Sequence, residues 1–252
     1  LRIIDNPALS AAVASGRPIV PIYILDEETP DIRAHGGASR WWLHQSLESL
    51  RADLRAKGLT LVLRKGSARH VIADVVSQSG AHAVYWNRCY EPGAVARDTA
   101  IKDALKVDGL DVGSFNGSLL MEPWQIETGQ GGPYKVFTPF WRRLRELYDL
   151  PDVAELPESL TPGPALDSDA LADWTLCPTA PDWAGGLRET WNVGETAARE
   201  RLHAFLDGPV ADYPEDRDRP DRAGTSCLSP HLHWGEIGPD QKLPAFRHQR
   251  LK

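Results

Sequence analysis

The sequence predicts an α/β fold, in which a parallel sheet has helices on both faces and is followed by a connector and the beginning of a helical domain. Three observations support this. Apolar, β-rich runs alternate with segments of helical periodicity over the first 115 residues. The helical segments are long enough for the crossovers that parallel strands require. Near residue 150 the composition changes, and helical periodicity returns only near residue 194.

Four segments have the composition of buried strands. Each is short, rich in β-branched or aromatic residues, and bounded by polar or turn residues. The predicted strands are residues 18–26, 59–63, 81–86 and 110–115. A helix beginning at Pro7 precedes them, and we expect a further strand before Leu1 for this helix to pack upon.

Helix starts are predicted from capping residues. Ser39 is the expected N-cap of a long amphipathic helix that ends at Gly58, and Ser67 opens a shorter one. Pro92 and Pro139 fit the first turns of two more helices, the second with Thr138 as its N-cap.

The domain boundaries follow from composition. Residues 1–149 form the predicted α/β domain, residues 150–181 a connector wrapped on a surface, and residues 182–252 the start of a helical domain. In this last part a helix is expected over residues 194–206. Its inward side chains are predicted to be Ala197, Leu202, Phe205 and Leu206.

Composition excludes several classes of protein. A formal net charge of −7 argues against a broad nucleic-acid-binding surface within these residues. No apolar run approaches the length of a membrane span, and no signal peptide is recognisable. The three cysteines have no metal-ligand spacing, so we expect reduced thiols and a cytoplasmic location.

A hydroxyl-rich loop near the end of the chain, GTSCLSPHLHWGE, is typical of an anion site. Thr225, Ser226 and Ser229 supply hydroxyl donors, and Gly224 permits close backbone approach. The helix expected to follow adds unpaired N–H groups. The alternative is an ordinary helix N-cap, in which the additional hydroxyl groups bind no ligand. A hydrolase is disfavoured, because no G-x-S-x-G motif is present.

A second dense segment, residues 116–143, combines aromatic and basic side chains. They form either a nucleic-acid face or, more commonly for such a mixture, a domain junction with a basic edge. A dehydrogenase or P-loop NTPase is disfavoured, since neither glycine-rich phosphate motif occurs.

Taken together, seven segments in order resemble the DNA photolyase/cryptochrome family, and bacterial photolyases most closely. They are LRIIDNPAL, PIYILDEE, GGASRWWLHQSLESL, VYWNRCYEP, FNGSLLMEPW, GGPYKVFTPFW and TSCLSPHLHWGEI. The resemblance implies a Rossmann-like α/β antenna domain, a connector and an all-helical domain that binds FAD. It also implies that the chain is truncated at both ends.

The resemblance assigns roles to individual residues. The FAD phosphates would rest on Thr225, Ser226, Cys227, Leu228 and Ser229, and Tyr213 would pack along the cofactor. Catalytic residues are expected beyond Lys252, so we expect no repair by these residues alone. The implied parent enzyme is a monomeric deoxyribodipyrimidine photo-lyase that splits cyclobutane pyrimidine dimers in UV-damaged DNA. The alternatives are a cryptochrome photoreceptor and a free-standing nucleotide-binding module.

The identity of a second, antenna chromophore is left open by the resemblance. Gly93 and Ala94 stand where folate-binding relatives carry Asn and Glu. Cys89 and His233 stand where deazaflavin-binding relatives carry an acid and a lysine, whereas Arg40 and Arg97 match arginines of that group.

Two further expectations concern the end of the chain. EIGPDQ replaces the family's E-I-S-P-R-Q, so Gly238 and Asp240 are expected to weaken a helix start. Four apolar side chains, Leu228, Leu232, Trp234 and Ile237, are expected to lack partners and to make this end mobile.

Overall fold

The computed structural model describes residues 1–149 and 156–241. Residues 150–155 of the predicted connector and residues 242–252 of the predicted helical domain lie outside this part. The α/β unit runs α1 (Pro7–Ala14), β1 (Ile22–Leu25), α2 (Gly37–Ala56), β2 (Val62–Lys65), α3 (Ala68–Ser79), β3 (Ala83–Asn87), α4 (Pro92–Val107) and β4 (Asp111–Phe115). The later helices are α5 (Phe137–Leu147), α6 (Gly185–Thr190), α7 (Glu195–Asp207), α8 (Tyr213–Asp216) and α9 (Ser229–His233).

All four predicted strands are present, and they form two parallel pairs. β1 pairs with β2 from Ile22↔Val62 to Leu25↔Lys65, and β3 pairs with β4 from Ala83↔Asp111 to Asn87↔Phe115. The predicted α/β class is therefore confirmed. Within the described ranges no ladder joins β1 to β3, so the sheet consists of two short parts.

Helices cover both faces of these strands. On one face, Ala68 of α3 and Ile101 and Leu105 of α4 pack against side chains of β1, β3 and β4. On the other, Leu43 and Leu47 of α2 pack against β1 and β2, while α1 contacts β3 and β4. α1 thus has a packing surface within the described residues, which was not expected from the sequence.

Two helices begin earlier than predicted. α2 starts at Gly37 with Gly36 as its N-cap, so Ser39 lies in the first turn. The ring of Trp183 lies so close to Gly37 that a β-carbon there would be 2.8 Å from it. α5 starts at Phe137 with Val136 as its N-cap, which places Thr138 inside the helix. The starts at Pro7, Ser67 and Pro92 are confirmed.

The connector contributes to the core as well as covering it. Leu160, Leu171 and Trp174 are buried in the same cluster as α2, β1 and β2. Further along, Ser168 Oγ accepts a hydrogen bond from Leu63 N at 2.9 Å, and Asp169 Oδ2 accepts one from Lys65 N at 2.8 Å. The expectation of a segment merely wrapped on a surface was therefore incomplete.

The predicted helix over residues 194–206 is α7. Its buried stripe is Ala198, Leu202 and Leu206, at intervals of four residues, together with Phe205. Ala197, which was predicted to face inward, is only partly buried. The prediction was wrong by one residue, because Ala198, four residues before Leu202, lies on the buried face of the helix.

The first residues of the chain join the α/β unit to the segment after α9. The Arg2 guanidinium donates hydrogen bonds to the carbonyl oxygens of Gly117 at 3.0 Å and Gly235 at 3.2 Å. Gly238 lies against this group, since a β-carbon on it would be 2.6 Å from Asp5 Oδ2 and 2.9 Å from Arg2 Nη2. Gly238 therefore allows the segment after α9 to pack closely against Arg2 and Asp5. The sequence analysis, which expected Gly238 only to weaken a helix start, did not identify this role.

Candidate functional site

The hydroxyl-rich loop lies between α8 and α9 and is open to solvent. Thr225, Cys227 and Ser229 are exposed and Ser226 is partly exposed, whereas the side chain of Leu228 is buried. Cys227 has φ 49°, in the left-handed region that a non-glycine residue seldom adopts. This kink separates the exposed hydroxyl side of the loop from the buried leucine.

The loop offers donors that the described part of the chain does not use. None of its described neighbours accepts a hydrogen bond from the backbone N–H groups of residues 226–229. The hydroxyls of Ser226 and Ser229 are likewise unpaired among the described residues, while Thr225 Oγ1 lies 3.4 Å from Cys227 Sγ. Exposed N–H and O–H donors on one short loop suit an anionic group such as a phosphate.

Tyr213 lies beside this loop because Gly224 packs against α8. A β-carbon on Gly224 would be 2.4 Å from Asp216 Cβ and 2.9 Å from Asp216 O, so only glycine fits there without a shift. Tyr213 begins the same short helix, and its ring stands edge-on to Phe205 at 5.8 Å. About two fifths of the residue remains exposed (40%), so a ligand can reach it.

Ion pairs surround the approach to the loop. Arg222 contacts Asp216 at 2.8 Å, and Arg219 forms a two-pronged contact with Asp221 at 2.9 and 2.8 Å. The guanidinium groups of both pairs are exposed, so the pairs contribute little to stability. The position of the loop therefore depends mainly on the Gly224 contact and on the burial of Leu228.

The end of the described chain is packed, contrary to the sequence-based expectation. Leu228 and Ile237 are 2% and 1% exposed and form one cluster with Ala198, Leu202 and Leu206 of α7. Leu232 packs against this cluster, and Trp234 packs against the core beneath α2. The expectation that these four side chains lack partners was wrong, because α7 and α2 supply their partners.

A buried polar cluster behind the loop was not identified from the sequence. His231 and Glu236 are fully buried, and His231 Nδ1 lies 2.5 Å from Glu236 Oε2. Trp42 of α2 donates its indole N–H to Glu236 Oε1 at 3.0 Å. Both residues stand in the quoted motif HLHWGE, but no helical or strand period indicates that they point inward.

A second group of polar residues lies where β1 and β3 end. Asp26 and Glu27 follow β1, and Cys89 follows β3. Arg97 lies 2.8 Å from Asp98 and 3.6 Å from Asp26, and Arg40 pairs with Glu27. Ligands of parallel α/β sheets bind at the carboxyl ends of strands.

The protonation of this group favours ionised carboxylates and a neutral thiol. Burial opposes ionisation of Asp26, but hydrogen bonds from Thr29 and from backbone N–H groups hold its pKa below the usual value. Desolvation by neighbouring groups raises the pKa of the Cys89 thiol although the residue is exposed at the surface, and Asp98 adds to the effect. His233 lies on α9, where its ring contacts Trp234 at 5.2 Å.

Neither a three-residue metal cluster nor a membrane-spanning helix is found among the described residues. There, no cluster of three or more His, Cys, Asp or Glu side chains has the arrangement of a metal site. Within the same part of the chain, no helix combines the length and the apolar character that crossing a bilayer requires.

The fold is an α/β unit joined to a helical segment that carries an exposed, hydroxyl-rich loop, and comparison with known proteins gives the family. A family model described as DNA photolyase matches residues 1–162. The chain belongs to the DNA photolyase family, which includes the cryptochromes.

Individual relatives agree with this assignment. The chain is 46% identical over 240 residues to a deoxyribodipyrimidine photo-lyase of Agrobacterium fabrum, covering 95% of this chain and 50% of that protein. It is 34% identical to Cryptochrome-1 of Arabidopsis thaliana, covering 94% and 35%. A crystal structure of a class III photolyase from Agrobacterium tumefaciens superposes with a TM-score of 0.90 at 46% identity, covering 97% and 50%. The chain thus spans about half the length of the photolyase relatives that it matches.

Proposed function

We propose that this chain belongs to a light-dependent DNA repair enzyme that splits cyclobutane pyrimidine dimers, with FAD as its cofactor. The observation that carries the proposal is the exposed loop of residues 225–229, whose unpaired N–H and hydroxyl donors suit the phosphates of a dinucleotide. Because the chain is similar to the photolyases described above, we propose that this dinucleotide is FAD.

Each predicted cofactor-binding residue has a role that its surroundings allow. Ser226 and Ser229 would donate their hydroxyls, and Thr225 stands at the exposed rim. Cys227 and Leu228 would contribute backbone N–H groups, because the Leu228 side chain is part of the core. Tyr213 would lie along the cofactor, with its other side supported by Phe205.

When bound, the flavin supplies the photoexcited electron that opens the dimer. The residues of this chain bind and orient it. The assignment of three regions, residues 1–149, 150–181 and 182–252, to the antenna domain, the connector and part of the FAD-binding domain remains a prediction. Because the relatives are about twice as long, we place the lesion-binding and catalytic residues outside these 252 residues.

We also propose a second chromophore at the carboxyl ends of β1 and β3. Arg40 and Arg97 offer cationic groups there, although each already contacts a carboxylate. Tyr23 adds a buried phenol whose pKa is raised by desolvation, with Cys89 and Glu27 nearby. A planar, anionic pigment suits this mixture, and we name no particular compound.

The experiment uses the complete translation product of the gene. Purified protein should carry an oxidised flavin spectrum and should repair a thymine dimer in UV-damaged DNA under blue light but not in the dark. Replacing Ser226 and Ser229 by Ala should each weaken FAD binding about tenfold, the effect of losing one hydrogen bond to a charged group. Ser77→Ala, at an exposed position of α3, is the matched control. Full FAD affinity in the double Ser226→Ala/Ser229→Ala variant would overturn the assignment of the loop.

A cryptochrome-type photoreceptor is the second candidate, favoured by the 34% identity to Arabidopsis Cryptochrome-1. It predicts FAD binding and light-driven flavin reduction without dimer repair. FAD binding does not separate the two functions, because both require the same phosphate loop. The repair assay does separate them.

A further inference from the structure

The buried cluster of Trp42, His231 and Glu236 connects the α/β unit to the proposed phosphate loop. Trp42 belongs to α2, His231 lies two residues after Ser229, and Glu236 follows α9. His231 and Glu236 are 0% exposed and Trp42 is 5% exposed. Their two contacts, 2.5 Å between His231 Nδ1 and Glu236 Oε2 and 3.0 Å between Trp42 Nε1 and Glu236 Oε1, form a continuous polar chain.

Aromatic rings enclose this polar chain. The ring of Trp42 meets the His231 ring edge-on at 5.2 Å and the Trp191 ring edge-on at 5.2 Å. The guanidinium of Arg201 lies 4.7 Å from the centre of the Trp191 ring. Water is therefore kept from the His–Glu contact, and in a dry environment the two groups interact more strongly.

Backbone hydrogen bonds transmit the position of this cluster to the loop. Glu236 N donates to His231 O at 2.9 Å, and Leu232 N donates to Leu228 O at 2.9 Å. These hydrogen bonds connect Leu228, α9 and Glu236 into one turn of the chain. On its buried side, Trp42 and Glu236 contact this turn. The exposed side of the same turn carries Ser229.

We propose that Trp42, Glu236 and His231 are positioning residues, which hold the loop of residues 225–229 in the arrangement that binds the flavin phosphates. This inference rests on the proposed function, because it concerns the affinity of that loop for FAD. None of the three side chains contacts the cofactor in this account. They act through the orientation of α9.

The chemistry of the cluster shows which substitution tests it. Glu236 accepts from Trp42 through one oxygen, and in the Nδ1–H tautomer of His231 its other oxygen accepts that proton. In Glu236→Gln the amide keeps one acceptor for Trp42 and presents an N–H to His231 Nδ1. The imidazole proton must then move to Nε2, which is buried and has no partner among the described residues. A buried N–H without an acceptor is unfavourable, so α9 is expected to shift.

The test compares the affinity of the complete protein for FAD and for riboflavin, which lacks phosphates. Glu236→Gln should weaken FAD binding about tenfold and leave riboflavin binding within about twofold. Glu122→Gln is the control. Glu122 is also buried (5%) and accepts from Arg88 and Tyr90, but it lies after β4. It should leave the ratio of the two affinities unchanged.

Trp42→Phe keeps the enclosing ring and removes only the indole N–H. It should weaken FAD binding about threefold, again without affecting riboflavin, and it keeps the proposal testable if Glu236→Gln fails to fold. Equal losses for both ligands, or no loss for FAD, would overturn the positioning role. Absence of FAD binding by the wild-type protein would instead overturn the proposed function, and the positioning role with it.

Discussion

Glu195, the first residue of α7, accepts a hydrogen bond from the backbone N–H of Ile3, with 2.7 Å between Oε2 and the nitrogen. Its other oxygen accepts from Ile4 N at 3.1 Å. One buried carboxylate therefore joins the start of the chain to the helix that supports the phosphate loop.

Glu195→Ala should destabilise the protein by about 2–4 kcal/mol, since it leaves two backbone donors without an acceptor. Chemical denaturation measures the change in the free energy of unfolding. Glu200→Ala, at an exposed position of the same helix, should change that free energy by less than about 0.5 kcal/mol. Equal effects of the two substitutions would contradict the importance of the Glu195 contact.

The pH dependence of stability should also depend on Glu195. Burial raises its pKa above the ordinary 4.5, although the two N–H donors act in the opposite direction. The folded state therefore binds the proton more tightly than the unfolded state. The resulting stabilisation is complete below pH 4.5 and is lost as the pH rises through the higher folded pKa.

Denaturation of wild type and Glu195→Gln at several pH values tests this sign. The stability of the wild type relative to the variant should fall between pH 4.5 and neutrality. Taking the difference between the two proteins removes the contribution of the other acidic groups to the pH dependence, provided that these groups titrate alike in both proteins. A relative stability that rises over this interval would show that hydrogen bonding outweighs desolvation.

Gly194 should tolerate no side chain. Its φ is 115°, and a β-carbon would lie 2.2 Å from Ser49 Oγ on α2. Gly194→Ala should therefore cost about 3 kcal/mol or more, by adding overpacking to backbone strain. Gly16→Ala is the matched control, because φ is 67° there and no atom lies within 4 Å of the added carbon. It should cost only about 1–2 kcal/mol, and equal costs in thermal unfolding would refute the contact with Ser49.

Hydrogen exchange should divide the last described segment into two classes. The amide of Glu236 donates to His231 O and is buried, whereas the amides of Ser226 and Cys227 have no acceptor among the described residues. We expect exchange at Glu236 to be slower by on the order of 100-fold or more. Addition of FAD should slow Ser226 and Cys227 selectively. Uniformly fast exchange across residues 226–236 would restore the expectation of a mobile end.

The sequence was sufficient for the order of elements and for the loop, because both are local signals. Periodicity identified four strands and the main helices. A hydroxyl cluster before a proline pointed to Thr225, Ser226 and Ser229 as a candidate anion site, which stays a prediction. The ends of elements were less predictable. β2 includes Arg64 and Lys65 because they pair with Ile24 and Leu25, not because they are apolar.

Contacts between distant residues explain what was missed. Trp183 packs from across the chain against Gly37 at the start of α2, whereas Ser39 was the better local cap. The inward direction of His231 and Glu236 depends on Trp42, about 190 residues earlier, and nothing in HLHWGE encodes that partner. Even Leu228, predicted as a cofactor contact, proved to have a buried side chain, since α7 packs beneath it.

The hydrogen bonds from Leu63 and Lys65 to the connector have a consequence for solubility. These N–H groups lie on the side of β2 that does not face β1, and an uncovered row of this kind is a template on which another chain can add a strand. Ser168 and Asp169 occupy it: their side-chain oxygens accept these two protons, and Asp169 N donates to Leu63 O at 2.9 Å. Cleavage that releases residues 168 and 169 from β2 should therefore promote self-association through this strand.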